Sequence, residues 1–207
     1  MSKDPPRRGR RPSIAPGLVS LVAIDLFERR DYDDVSMDDI AEAAGVSRSS
    51  LFRLFPTKSS LLWDGYEPYL SALGALIETT AVEEDPFAAV ERCLVDALPR
   101  EPSSRHAVRV RLRIVASHPD LWVTAAPSMI TARDLIVELL RRTTDGSPLE
   151  RLVQAETAVS TSFTAMRLWA LSDDDEPIEA VIHRGMLVLS AWGRDPANAQ
   201  QPGSTDI

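Results

Sequence analysis

The chain has 207 residues, 44% hydrophobic and 26% charged, with a net charge of −8; this is ordinary for a soluble globular protein of one or two domains. No apolar run approaches the roughly 18 residues a membrane span needs, and the basic N-terminus MSKDPPRRGRRPS lacks a signal peptide's apolar core. The lone Cys93 excludes a disulfide framework, reads as a buried small hydrophobe and points to a reducing cytoplasm.

Residues 1–12 are rich in Pro, Arg and Gly without periodicity, which predicts a disordered basic arm. Ser13 can then cap a first helix over about 14–30, with Pro16 in its first turn and Val19, Val22, Ala23, Leu26 and Phe27 as a buried stripe. The run DYDD ends it. Ser36-Met37-Asp38-Asp39 fits the start signal of a second helix, with acids at the positive end of the dipole. Gly45 follows where that helix must turn through a left-handed conformation, and Ser47 can cap the next one. Two short helices around Gly-Val-Ser form a helix–turn–helix in outline.

Pro56-Thr57 ends the third helix, and a longer one is predicted over about 58–80. Further helical segments follow near 84–98, 104–117, 120–142, 148–171 and 176–192, separated by PREPSS, HPD, TTDGSP and SDDDEP. No segment alternates as a strand would. The expected architecture is all-α: three helices over 13–57 forming a helix–turn–helix domain, then six over 58–193. The arm 1–12 precedes them and a frayed tail 194–207 follows.

Charge locates the function. Residues 1–64 carry ten Lys/Arg and ten Asp/Glu, so the whole excess of acid lies beyond them, and no carboxylate occurs from Ala43 to Trp63. Taken as a helix, SRSSLFRLF places Leu51, Leu54 and Phe55 with Val46 on a packing face and Arg48, Ser49, Phe52 and Arg53 on the opposite one. An exposed face with two guanidiniums and no acid suits a helix in the major groove, where Arg can read guanine O6/N7 and a carboxylate would be forced against phosphate. Lys58 falls in the first turn of the following helix, where a cation opposes the dipole; a phosphate above it would offset that penalty.

The span SMDDIAEAAGVSRSSLFRLFPTKSSLL, residues 36–62, resembles the DNA-binding domain of the TetR family of transcriptional repressors. The matching positions are Asp39, Ile40, Ala41, Ala44, Gly45, Val46, Ser47, Leu51, Phe55, Lys58 and Leu61. Two positions depart from the pattern: Phe52 stands where the family usually has Tyr, and Leu54 where it often has Tyr or His, so two phosphate-contacting hydroxyls are lost. The stretch LFRLFPTKSSLLWDGY is similar to a branch that includes regulators linked to mycofactocin and acyl-CoA ligands. The resemblance implies that Ser36 and Lys58 grip phosphate and that Ser47, Arg48, Ser49, Phe52 and Arg53 face the DNA. It also places Arg7, Arg8, Arg10 and Arg11 in an arm for the minor groove.

One short recognition helix reads few bases, and a two-fold dimer on a palindromic operator supplies the rest. The last two long helices are the candidate interface, with Ala155, Ala158, Ser162 and Ala165 allowing close approach and Trp169, Ile182 and Leu189 as bulk; core packing explains the same residues. The resemblance further implies a pocket for a largely apolar small-molecule effector, lined from Trp63, Tyr66, Phe87, His106, Trp122, Met129, Phe163 and Met166. The basic segment 105–113 either holds an anion or pairs with neighbouring acids. No cofactor or metal is expected: the three histidines have no metal spacing, and no nucleophile or nucleotide motif occurs. A protein-binding helical adaptor and an enzyme with an unrecognised site are the alternatives.

Overall fold

The computed structural model describes residues 15–192, and every regular element among them is an α-helix. The basic arm with Arg7, Arg8, Arg10 and Arg11, the expected Ser13 cap and the tail beyond residue 193 lie outside the described residues. The chain divides into two compact units, Met1–Asp64 and Gly65–Ile207.

The first unit holds α1 (Pro16–Arg29), α2 (Met37–Ala43), α3 (Arg48–Leu54) and α4 (Lys58–Asp64). Pro16 opens α1, where its missing N–H costs nothing, and the N-cap is Ala15, which has no side-chain hydrogen bond to give. Val19, Ala23, Ile24 and Phe27 are buried, while Val22 and Leu26 are half-buried at the stripe's edge. α1 is tied to α4 by the buried Ser20 hydroxyl, which donates to the Leu61 carbonyl at 2.8 Å. Tyr32 meets the edge of Phe27 at 4.9 Å and closes the end of this core.

The second unit holds α5 (Glu67–Thr79), α6 (Pro86–Asp96), α7 (Pro102–Ser117), α8 (Leu121–Thr143), α9 (Pro148–Leu171) and α10 (Ile178–Trp192). α9 is the central helix and packs against α7, α8 and α10, while α5 lies on α6 and α8. Leu73, Leu94, Ile136, Leu139, Phe163, Ile182 and Met186 fill the core, and Cys93 is buried among them. Two helix starts are capped by side chains: at α6 Asp85 accepts from the Ala88 N–H, and at α9 Ser147 and Glu150 form a capping box. Arg142 on α8 donates to the carbonyls of Ile77 and Thr80 at 2.8 and 2.9 Å, satisfying the open end of α5. At Gly185 a Cβ would come within 3.3 Å of Thr161 and 3.4 Å of Ala165, so α10 lies against α9 at a distance where a larger residue would press its neighbours aside by a few tenths of an ångström.

The expected single helix over 58–80 is interrupted at Gly65-Tyr66. Pro68 cannot donate to the carbonyl four residues back, so α4 and α5 cannot run as one. α4 packs on α1 and belongs with the first unit, which moves the division from 57/58 to 64/65 and leaves six helices in the second.

Candidate nucleic-acid interface

The local frame begins at Ser36. Its hydroxyl accepts from the Asp39 N–H at 3.1 Å and donates to the Asp39 carboxylate at 2.5 Å, and its own N–H donates to the same carboxylate at 2.8 Å. The hydroxyl that a phosphate would need is therefore already engaged. These bonds, with Arg30 beside them, hold the Asp39 carboxyl down to about 2. A depressed carboxyl stabilises the fold above the ordinary carboxylate range and loses that contribution as pH falls through its folded value. Ser36→Ala is expected to return Asp39 towards the ordinary range, read by NMR titration of its carboxyl carbon.

α2 ends at Ala43, and Gly45 turns the chain at φ +64 with nothing near where a Cβ would sit, so glycine is needed there for backbone conformation alone. The Ser47 hydroxyl then caps α3 by accepting from the Ser50 N–H at 3.2 Å. Leu51 is completely buried and Phe55 nearly so, and these two side chains pin α3 to the unit. Leu54, expected with them, is 38% exposed: three residues past Leu51 it has rotated to the rim of the packing face. Val46 is half-buried.

Arg48, Ser49, Phe52 and Arg53 are all exposed on the outward side of α3. Arg53 makes no ion pair among the described residues, so its guanidinium is available to an anion. The Arg48 guanidinium lies 5.5 Å from the Phe52 ring centroid and 3.1 Å from the Asp38 carboxylate on α2. The sequence is cleared of acid from Ala43 to Trp63, yet the fold brings one back to this face.

Lys58 is placed otherwise than its position in the sequence implied. It is half-buried, its ammonium donates to the carbonyls of Tyr32 and Val35 at 2.5 and 3.0 Å, and it sits 4.1 Å from the Tyr32 ring centroid. These carbonyls, rather than a phosphate alone, balance the charge at the start of α4. Burial and the nearby Asp33 push the Tyr32 phenol up to about 12, so the ring stays neutral beside the ammonium. Lys58→Met would leave the Val35 carbonyl without its donor and the Tyr32 carbonyl with only the long 3.4 Å bond from the Val35 N–H, and is expected to lower stability by about 1–3 kcal/mol in urea unfolding.

The second unit places the remaining candidates. Trp122 and Phe163 are brought together at 4.6 Å between ring centroids, with the Arg167 guanidinium 5.2 Å from the Trp122 ring. Phe163 and Met166 are fully buried, Phe87 and Met129 half-buried, and His106 exposed. Tyr66 stacks at 4.9 Å on Tyr69, whereas Trp63 belongs to α4 in the first unit. In the first unit an open groove of about 540 Å³ lies between Leu18, Leu21 and Val22 of α1 and the Ala43-Ala44 end of α2.

The expected dimer residues lie mostly in the core of the second unit. Ala155, Ala158, Ser162, Ala165, Trp169 and Ile182 are buried inside the monomer, and Leu189 is half-buried. Ala165 on α9 lies against Gly185 of α10 within one chain. The exposed large apolar side chains on these helices are Leu149, Leu152, Val153, Leu168 and Leu171 on α9 and Leu187 and Val188 on α10. The basic segment is used internally: Arg105 pairs with Glu179, and Arg113 donates to the Ala170 carbonyl at 2.5 Å.

Residues 21–63 match the family model described as bacterial regulatory proteins, tetR family. A relative from Mycobacterium tuberculosis, described as a candidate mycofactocin biosynthesis transcriptional regulator (MftR), is 28% identical over 177 residues, covering 84% of this chain and 89% of its own. Two solved structures share the fold at low identity. FadR from Thermus thermophilus, a TetR-family repressor in complex with lauroyl-CoA, has TM-score 0.59 and 20% identity, covering 92% of this chain and 100% of that one. The fatty acid degradation regulator FadR from Bacillus halodurans has TM-score 0.62 and 13% identity, covering 88% of this chain and 98% of that one. With α2 and α3 as the helix–turn–helix, residues 21–63 match the tetR-family DNA-binding region, and most of the chain is similar to a transcriptional regulator.

Proposed function

We propose that the chain is a homodimeric repressor that binds a palindromic operator in the cytoplasm and is released by a small-molecule effector. The observation that carries this reading is the outward face of α3, where Arg48, Ser49, Phe52 and Arg53 are exposed above the buried Leu51. A helix of seven residues reads few base pairs, and a second copy one helical turn away, about 34 Å along the duplex, doubles the site. The exposed leucines and valines of α9 and α10 supply an apolar surface for pairing. No helix among the described residues is long and apolar enough to cross a membrane.

The lauroyl-CoA bound by the Thermus protein makes acyl-CoA thioesters the first effector class to test, with the long apolar chain expected among the aromatic residues of the second unit. The effector must bind the non-operator conformation better, because only differential affinity shifts the equilibrium. The test is fluorescence anisotropy with duplex from the gene's own upstream region against a scrambled duplex, over a salt series, with and without lauroyl-CoA. Tight, salt-steep and selective binding that the thioester reverses is expected. Selective binding indifferent to the thioester would remove that effector class, and no binding at low salt would remove the operator reading.

A further inference from the structure

Asp38 is an odd residue to find beside the recognition helix. Its carboxylate is 60% exposed and stands 3.1 Å from the Arg48 guanidinium, itself 68% exposed. A carboxylate on a surface facing a polyanion weakens every DNA contact around it. An exposed ion pair adds little to stability, so stability does not explain its presence. At the start of α2 its charge favours the helix dipole only weakly, and Ser36 and Asp39 already complete the capping box. Asp38 must therefore be judged by what it does to Arg48.

Arg48 is held from two sides. Asp38 accepts from Nη1, and the face of Phe52 lies 5.5 Å from the guanidinium carbon. A guanidinium carries five N–H donors in a rigid fork, so one bond to Asp38 leaves enough of the fork for the two bonds that guanine O6 and N7 accept. A side chain already fixed in direction loses less freedom on binding than one sweeping through solvent. It also cannot easily turn aside to a phosphate when the base is wrong.

We propose that Asp38 is a positioning residue for base readout. It aims Arg48 at a guanine and raises sequence selectivity while lowering affinity for DNA as a whole. This rests on α3 as the base-reading helix, and the two ideas fail differently.

A duplex enriched by the full chain from a random-sequence pool would be compared with its scrambled form at one fixed salt concentration, using wild type, Asp38→Asn, Arg48→Ala and the double variant. Asp38→Asn is expected to bind scrambled DNA at least as tightly as wild type, while its preference for the enriched duplex falls about 3- to 5-fold. Arg48→Ala should lose about 10-fold of that preference, and Asp38→Asn should change nothing further in its background. Asp38→Glu should retain more preference than Asp38→Asn. Thermal midpoints of all variants monitor folding.

If Asp38→Asn tightens both duplexes by one factor, Asp38 is only a repelling charge and the proposal is overturned. Equal weakening of both, with a lowered midpoint, makes it only a helix-start residue and overturns it too. A wild type without preference, or an Arg48→Ala variant with full preference, would defeat the assignment of α3 itself.

Discussion

Aspartate introduced at both Leu168 and Val188 is expected to leave the monomer folded and to abolish selective operator binding. The two side chains are 58% and 68% exposed, on α9 and α10 respectively. In a monomer the new carboxylates stay in water, where surface substitutions usually cost within about ±0.5 kcal/mol. In the proposed dimer they are desolvated and, by symmetry, meet their own copies, at several kcal/mol for each uncompensated charge. Losing the second half-site should reduce operator affinity by about 10³-fold, towards the non-specific level. Sedimentation velocity reads the assembly state and anisotropy the DNA. A variant that stays dimeric would move the interface off this face. Ala158→Asp is the informative contrast: that position is 4% exposed, so a charge there should unfold the chain instead of separating two copies.

Leu51→Ala is expected to cost about 2–5 kcal/mol and to remove DNA binding at temperatures where the second unit remains folded. Leu51 is fully buried and, with Phe55, holds α3 in place. The first unit is small, so its core has little stability to spare. Leu54→Ala, three residues along the same helix, should cost only about 1 kcal/mol, because that side chain is 38% exposed. Circular dichroism against temperature for both variants, with wild type, separates the two cases. Equal losses would mean that α3 is seated on a different face.

The legible parts of this protein were the local ones. Ser36, Gly45 and Ser47 could be assigned from the chain because a cap or a left-handed turn depends on residues within four positions of one another. The outward set on α3 followed from helical periodicity anchored by Leu51, and the family pattern was carried by the same short span. The periodicity was too coarse for Leu54, which stands at the boundary between two faces where a small rotation decides burial. The break at Gly65-Tyr66 was written in the sequence as Gly65 and Pro68, but apolar residues on both sides masked it.

The sequence by itself determined the all-helical class, the helix–turn–helix with its exposed Arg48 and Arg53, and the presence of an acid-free stretch. Tertiary structure decided which apolar residues are core and which are surface: α9 is apolar around much of its circumference, so its pattern could not say whether Ala158 or Leu168 is buried. It also decided where charges go. Lys58 was matched to carbonyls of Tyr32 and Val35, far back in the chain, and Asp38 was returned to Arg48 across the turn. Capping and turns depend on neighbours along the chain and are readable there; burial and ion pairing depend on neighbours in space, which only the packed fold supplies.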